Sequence, residues 1–186
     1  MFKKILLTLD GSELARRALP YARDLARDGG AAVCILEVID SQESIVNQLA
    51  GRTADLTTDE RRRFEQLARE LHAAQRADAS RNIEVARREF EEAGVANVTT
   101  LIREGRPADE IVATAARLEC DAIAMGARGH SGTQRESIGS VAESVVLNVT
   151  GAAVIIVGPR LAGSHGPPVF GARTISPPPE PPERER

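Results

Sequence analysis

Residues 121–148 read DAIAMGARGHSGTQRESIGSVAESVVLN, and this stretch decides the architecture. Asp121–Met125 is a short apolar run of the kind that forms a strand buried on both faces. It exits into a glycine-spaced loop. Gly139 and Ser140 then open a helix that carries Val141, Val145 and Val149 on one face. Gly126, Gly129, Gly139 and Ser140 obey the spacing G-x2-G-x9-G-[ST]. Glycines there allow positive φ and let an anion approach backbone amides, while the N-terminus of a helix attracts negative charge. A strand, a glycine loop and a helix start in that order describe a phosphate cradle.

Working outward, the same alternation fills the chain. Phe2–Leu9 is an apolar strand, and Ser12 caps a helix with Leu14, Ala18, Ala22 and Leu25 at helical spacing up to Gly29 and Gly30. Pro20 inside it predicts a kink, because an interior proline removes a donor and crowds the preceding turn. Ala31–Ile39 is a second strand and Asn97–Arg103 a third. Between these two, Asp40–Leu56 reads as an irregular or partly helical insertion. Thr57 with Glu60 forms a capping box that starts either one long helix or two. Its apolar positions are Phe64, Leu67, Leu71, Ala74, Ile83, Ala86, Phe90 and Ala93, and Gly94 ends it. Pro107 stands at a first helical position, followed by the stripe Ile111, Ala115 and Leu118. Ala152–Val157 is the last strand. Strands alternating with helices predict an α/β, doubly wound parallel sheet covered on both faces.

The chain has 186 residues, 27% of them charged, with a net charge of -3, which offers no general attraction to nucleic acid or an anionic membrane. No apolar run approaches the roughly 20 residues that span a bilayer. The first residues do not have the form of a signal peptide, so a cytoplasmic protein is expected. Residues 1–159 are read as one domain. Seven of the ten prolines fall between Pro167 and Pro182, so residues 160–186 are read as a Pro-rich disordered tail. Cys34 and Cys120 sit inside apolar runs and read as buried thiols. No metal ligand set is visible.

The stretches LLTLDGS, RALPYARDLA, REGRPADEIVATA, DAIAMGARGHSG and IGSVAESVV follow one another in that order. Through them Phe2–Val157 resembles the universal stress protein family, and specifically its ATP-binding branch. The resemblance implies a Rossmann-like, adenine nucleotide alpha hydrolase-like fold of five parallel strands in the order 3-2-1-4-5. It further implies that Asp10 and the backbone of Val38 contact adenosine, and that Gly126, Gly129, Gly139 and Ser140 hold ribose and phosphates. Val141 would add a backbone contact. Arg128 either offsets phosphate charge or is a solvated loop arginine, and the same holds for Arg135. His130 is read as a loop residue, and His72 and His165 as surface helix and tail. The ligand the resemblance implies is ATP, with AMP or a cyclic nucleotide as alternatives; Glu136, by its carboxylate, is a candidate to help hold Mg²⁺. A homodimer through the last strand is also implied.

Lys3 and Lys4 are the only lysines, and they precede the first strand, at the end of the sheet away from the glycine loop. A GxxxxGK[ST] loop is absent, so no catalytic residue is assigned. The HxGH and SGGxDS signatures of adenylate-transferring relatives are missing. The favoured reading is an ATP-binding stress-response regulator. The alternatives are a slow ATPase or adenylate-transferring enzyme on the same fold, and a nucleotide-free dimer scaffold.

Overall fold

The computed structural model describes residues 1–51, 57–129 and 138–158. Five strands form one parallel sheet: β1 (Lys4–Leu9), β2 (Ala32–Ile39), β3 (Val98–Glu104), β4 (Ala122–Gly126) and β5 (Ala153–Val157). Their spatial order is β3-β2-β1-β4-β5, so the chain winds outward from β1 in both directions, as expected. The helices are α1 (Glu13–Arg16), α2 (Ala18–Gly29), α3 (Gln42–Ala50), α4 (Thr58–Glu92), α5 (Pro107–Arg117) and α6 (Ser140–Asn148).

Continuous apolar runs form the strands because both faces of the sheet are covered. Ile5, Leu7, Val33, Ile35 and Ala124 pack against Leu19 and Ala22 of α2 and Ile83 and Phe90 of α4. Their neighbours Leu6, Cys34, Leu36, Ile123 and Met125 pack on the other side against Ile111 and Ala115 of α5 and Ala142 and Val145 of α6. Cys34 and Cys120 are free and buried.

Pro20 does more than kink its helix. Helix α1 ends at Arg16 and α2 starts at Ala18, with the Arg17 amide donating back to Leu14 O at 3.3 Å. Pro20 can give no hydrogen bond to the carbonyl of Arg16, four residues earlier, and its ring crowds that carbonyl. The helix therefore stops and restarts.

The insertion after β2 contains α3, capped by Ser41, which accepts from the Ser44 amide. Thr57 and Glu60 make the expected capping box, and α4 is one helix of 35 residues. Only its C-terminal half carries a sheet-facing stripe. Leu67 and Leu71 stay 42% and 40% exposed, whereas Ala68 is fully buried. The reason is position: α4 runs antiparallel to the strands, and Asn82 already reaches Glu37 near the end of β2. Upstream residues project past the sheet, where α3 packs against them. Pro107 is the first residue of α5, as its sequence position predicts.

Candidate functional site

In a doubly wound sheet the crevice opens where the chain direction reverses, here between β1 and β4. An open cleft lies there, about 680 Å³ of space with the solvent at its mouth included. Asp10, Val38, Gly126, Arg128, Gly129, Gly139, Ser140 and Val141 all line it, so the eight positions singled out in the sequence converge on one place. The remaining wall is largely apolar and includes Leu9, Pro107, Ile111 and Met125.

Register explains why Val38 faces the cleft. The last residue of β1, Leu9, lies opposite Glu37, so Val38 and Ile39 run past the end of that strand. The Ala32 amide donates to Lys3 O and the Val33 amide to Asn97 O. Even-numbered residues of β2 therefore turn their main chain toward β1. The main chain of Val38 points into the gap beyond Leu9.

The glycines occupy the expected positions for a different reason. Gly126, Gly129 and Gly139 do not adopt the left-handed region; Gly139 has φ -67° and ψ 152°. Space, not φ, works against a side chain at these positions, most firmly at Gly126, where the neighbours are backbone. A Cβ on Gly126 would lie 2.9 Å from Leu14 O and 3.0 Å from the Ala15 Cα, so β4 exits directly against α1. A Cβ on Gly139 would lie 3.2 Å from Ala127 O. One on Gly129 would overlap Oδ2 of Asp10.

Main-chain hydrogen bonds fix the cradle. The Ala127 amide donates to Val157 O and the Gly139 amide to Ala127 O, both at 2.8 Å. Gly139 is the N-cap of α6 and has no side chain with which to cap it. The first-turn amides at Ser140, Val141 and Ala142 have no intrahelical acceptor by geometry, and all three residues line the cleft. The arrangement suits an anion. Arg128 supplies the guanidinium among the described lining residues. Asp10 Oδ1 accepts from the Ser12 amide at 3.0 Å, so the residue also closes a turn at the start of α1.

Lys3 and Lys4 lie at the opposite end of the sheet. Asp121 accepts their amides at 2.7 and 3.0 Å, and Lys4 Nζ donates to Leu118 O at 2.7 Å. His72, read as a surface residue, is 19% exposed with its Nε2 3.2 Å from Glu104 Oε1. His130, Glu136, Arg135 and His165 lie outside the described residues, as do residues 160–186.

Sequence reasoning missed Glu37. It is 5% exposed, accepts from Asn82 Nδ2 at 3.3 Å, and lines a second chamber that shares Asp10, Val38 and Pro107 with the cleft. The signal was available: an acidic residue interrupts the apolar run of β2 immediately before Val38. No group of three or more His, Cys, Asp or Glu able to hold a metal occurs among the described residues.

Comparison with known proteins agrees with the fold. Universal stress protein MJ0531 of Methanocaldococcus jannaschii is 30% identical over 160 residues, covering 86% of this chain and 85% of its own. Universal stress protein MJ0577 of the same organism is 32% identical over 150 residues, 78% of this chain and 89% of its own. The solved structure of MJ0577 superposes with a TM-score of 0.69 over 87% of this chain and 99% of that one. A universal stress protein from Archaeoglobus fulgidus in complex with dAMP, 19% identical with a TM-score of 0.56, covers 84% of this chain and 98% of that one and shares the fold. Residues 1–157 match the pattern of the Universal stress protein family, and the chain belongs to that family.

Proposed function

We propose that the cleft binds an adenine nucleotide, ATP foremost, and that occupancy makes the chain a nucleotide-dependent regulator of the stress response in the cytoplasm. The observation that carries this reading is the pairing of two surfaces in one cleft. An apolar wall of Leu9, Val38, Ile111 and Met125 suits a purine. The amides at the start of α6, with Arg128 beside them, suit phosphates. The Val38 main chain, turned into the gap beyond Leu9, would read the edge of the base. On this reading Asp10, which lines the same cleft, would take the sugar hydroxyls. Mg²⁺ would accompany the phosphates, since it prefers phosphate and carboxylate oxygens.

Fast turnover is not part of this reading. Both lysines lie at the far end of the sheet, so the ammonium that P-loop enzymes bring to transferring phosphates has no counterpart here. Native mass spectrometry of the purified protein, followed by calorimetry with Mg·ATP and a phosphate-release assay, tests the proposal. Binding without release above background supports a regulator. Sustained release would establish a slow ATPase instead, and a chain that binds no nucleotide yet dimerises would be a scaffold.

A homodimer through β5 is favoured by a specific feature. Ala153 donates to Asp121 O, and Val157 O accepts from Ala127, so odd-numbered residues of β5 bond β4. The main chain of Val154 and Ile156 faces outward along an edge that pairs with no other strand among the described residues, an arrangement that pairs readily with a second copy.

A further inference from the structure

Two contacts of the Asp10 carboxylate bear on the cleft. Oδ1 accepts the Ser12 amide at 3.0 Å and closes the turn into α1. Oδ2 lies against Gly129, so closely that a Cβ there would overlap it and stand 3.2 Å from Cγ. Gly129 does not need glycine for its backbone, because its φ lies outside the left-handed region. A side chain at 129 would have to displace the carboxylate of Asp10. One carboxylate lies between the exits of β1 and β4, hydrogen-bonded at the first and packed against the second. The start of the β4 exit is already held by the two hydrogen bonds of Ala127, and Asp10 supplies the next fixed point two residues on.

We infer that Asp10 is a positioning residue for the phosphate loop: packed against Gly129, its carboxylate fixes the segment Gly126–Gly129 and so acts on the phosphates through that segment, in addition to any contact with the sugar. This rests on the nucleotide-binding reading and names how one of its residues works. A residue that only touched the sugar would serve ATP and adenosine equally. A residue that sets the loop serves the phosphorylated ligand more.

The experiment measures the affinity of ATP and of adenosine for the wild type, Asp10→Ala, Asp10→Asn, Gly129→Ala and the Asp10→Ala/Gly129→Ala double variant. Asp10→Ala loses about tenfold more affinity for ATP than for adenosine, the effect of a contact of ordinary strength. Asp10→Asn keeps the shape and an acceptor for Ser12, and recovers most of the loss. Gly129→Ala reproduces the ATP-selective loss by displacing the carboxylate, and the double variant is no worse than Gly129→Ala alone. Equal losses for the two ligands, or losses that add in the double variant, overturn the inference. Hydrogen exchange on the nucleotide-free chain gives a separate reading. The amides of residues 127–129 exchange faster in Asp10→Ala and at the wild-type rate in Asp10→Asn; unchanged exchange in Asp10→Ala overturns the inference. A wild type without affinity for ATP overturns the nucleotide reading, and exchange then decides the loop contact on its own.

Discussion

The amide of Gly139 donates to the carbonyl of Ala127 at 2.8 Å, so the N-cap of α6 is tied to the residue that follows β4. A branched side chain at 139 would sit 3.2 Å from that carbonyl and 3.4 Å from the Arg128 Cα. Gly139→Val therefore pushes the helix start away from the loop and covers the amides at Ser140 and Val141. The expected outcome is loss of measurable ATP binding in calorimetry, with far-UV circular dichroism and cooperative unfolding retained, because the position lies at the rim of the core. Affinity equal to wild type would count against the proposed site.

Acid stability should report Asp121. Burial, the largest single influence, pushes its carboxyl up, but the amides of Lys3 and Lys4, its own amide and the Lys3 charge more than offset this and hold it below 3.8. A carboxyl depressed on folding contributes stability that is fully present above its unfolded pKa and lost as the pH falls through the folded one. Melting temperatures of the wild type should drop below about pH 4, and Asp121→Asn should flatten that part of the profile. Parallel profiles would show that the β1–β4 clamp carries no such linkage.

Thiol reactivity separates folded from unfolded chain. Burial raises the Cys34 thiol despite its hydrogen bond with Thr99, and burial followed by the charge of Cys34 pushes Cys120 up to about 11. The thiolate is the reactive form, so neither cysteine should titrate with a disulfide reagent at pH 8 until denaturant is added. Rapid labelling of the native protein would contradict the packing around them.

The dimer has a selective test at the sheet edge. Val154→Pro removes an outward amide while leaving the bonds of Ala153 and Val157 to the β4 side in place, and proline is tolerated where an edge amide faces solvent. Sedimentation velocity should show a monomer that still melts cooperatively. An unchanged sedimentation coefficient for a dimeric wild type would exclude β5 as the interface.

Much of the fold was legible because buried parallel strands advertise themselves as unbroken apolar runs. Asp121–Met125 and Ala152–Val157 each fall within one residue of β4 and β5. Periodicity was less informative along α4, where Leu67 and Leu71 have helical spacing but no sheet beneath them. A repeat records which face is apolar, not what covers it. Similarly, Pro20 marked a disturbance whose form, a stop at Arg16, depends on local geometry. At the cleft, the positions of Gly126, Gly129 and Gly139 were readable from spacing. Their physical reason was not, because the atoms that exclude a side chain come from Leu14, Asp10 and Ala127, two of them more than 100 positions away in the chain. Glu37 escaped notice because a single acidic residue does not break a strand pattern.

The length of α4 carries it well beyond the cleft. Asn82, roughly two-thirds of the way along the helix, touches Glu37 and crowds Gly11 at the exit of β1, while Thr58 stands about 36 Å away at 1.5 Å per residue. The helix is tied again farther up, where His72 and Arg76 meet Glu104 at the end of β3, so the turns that stand clear of the sheet, from Thr58 to His72, span about 21 Å.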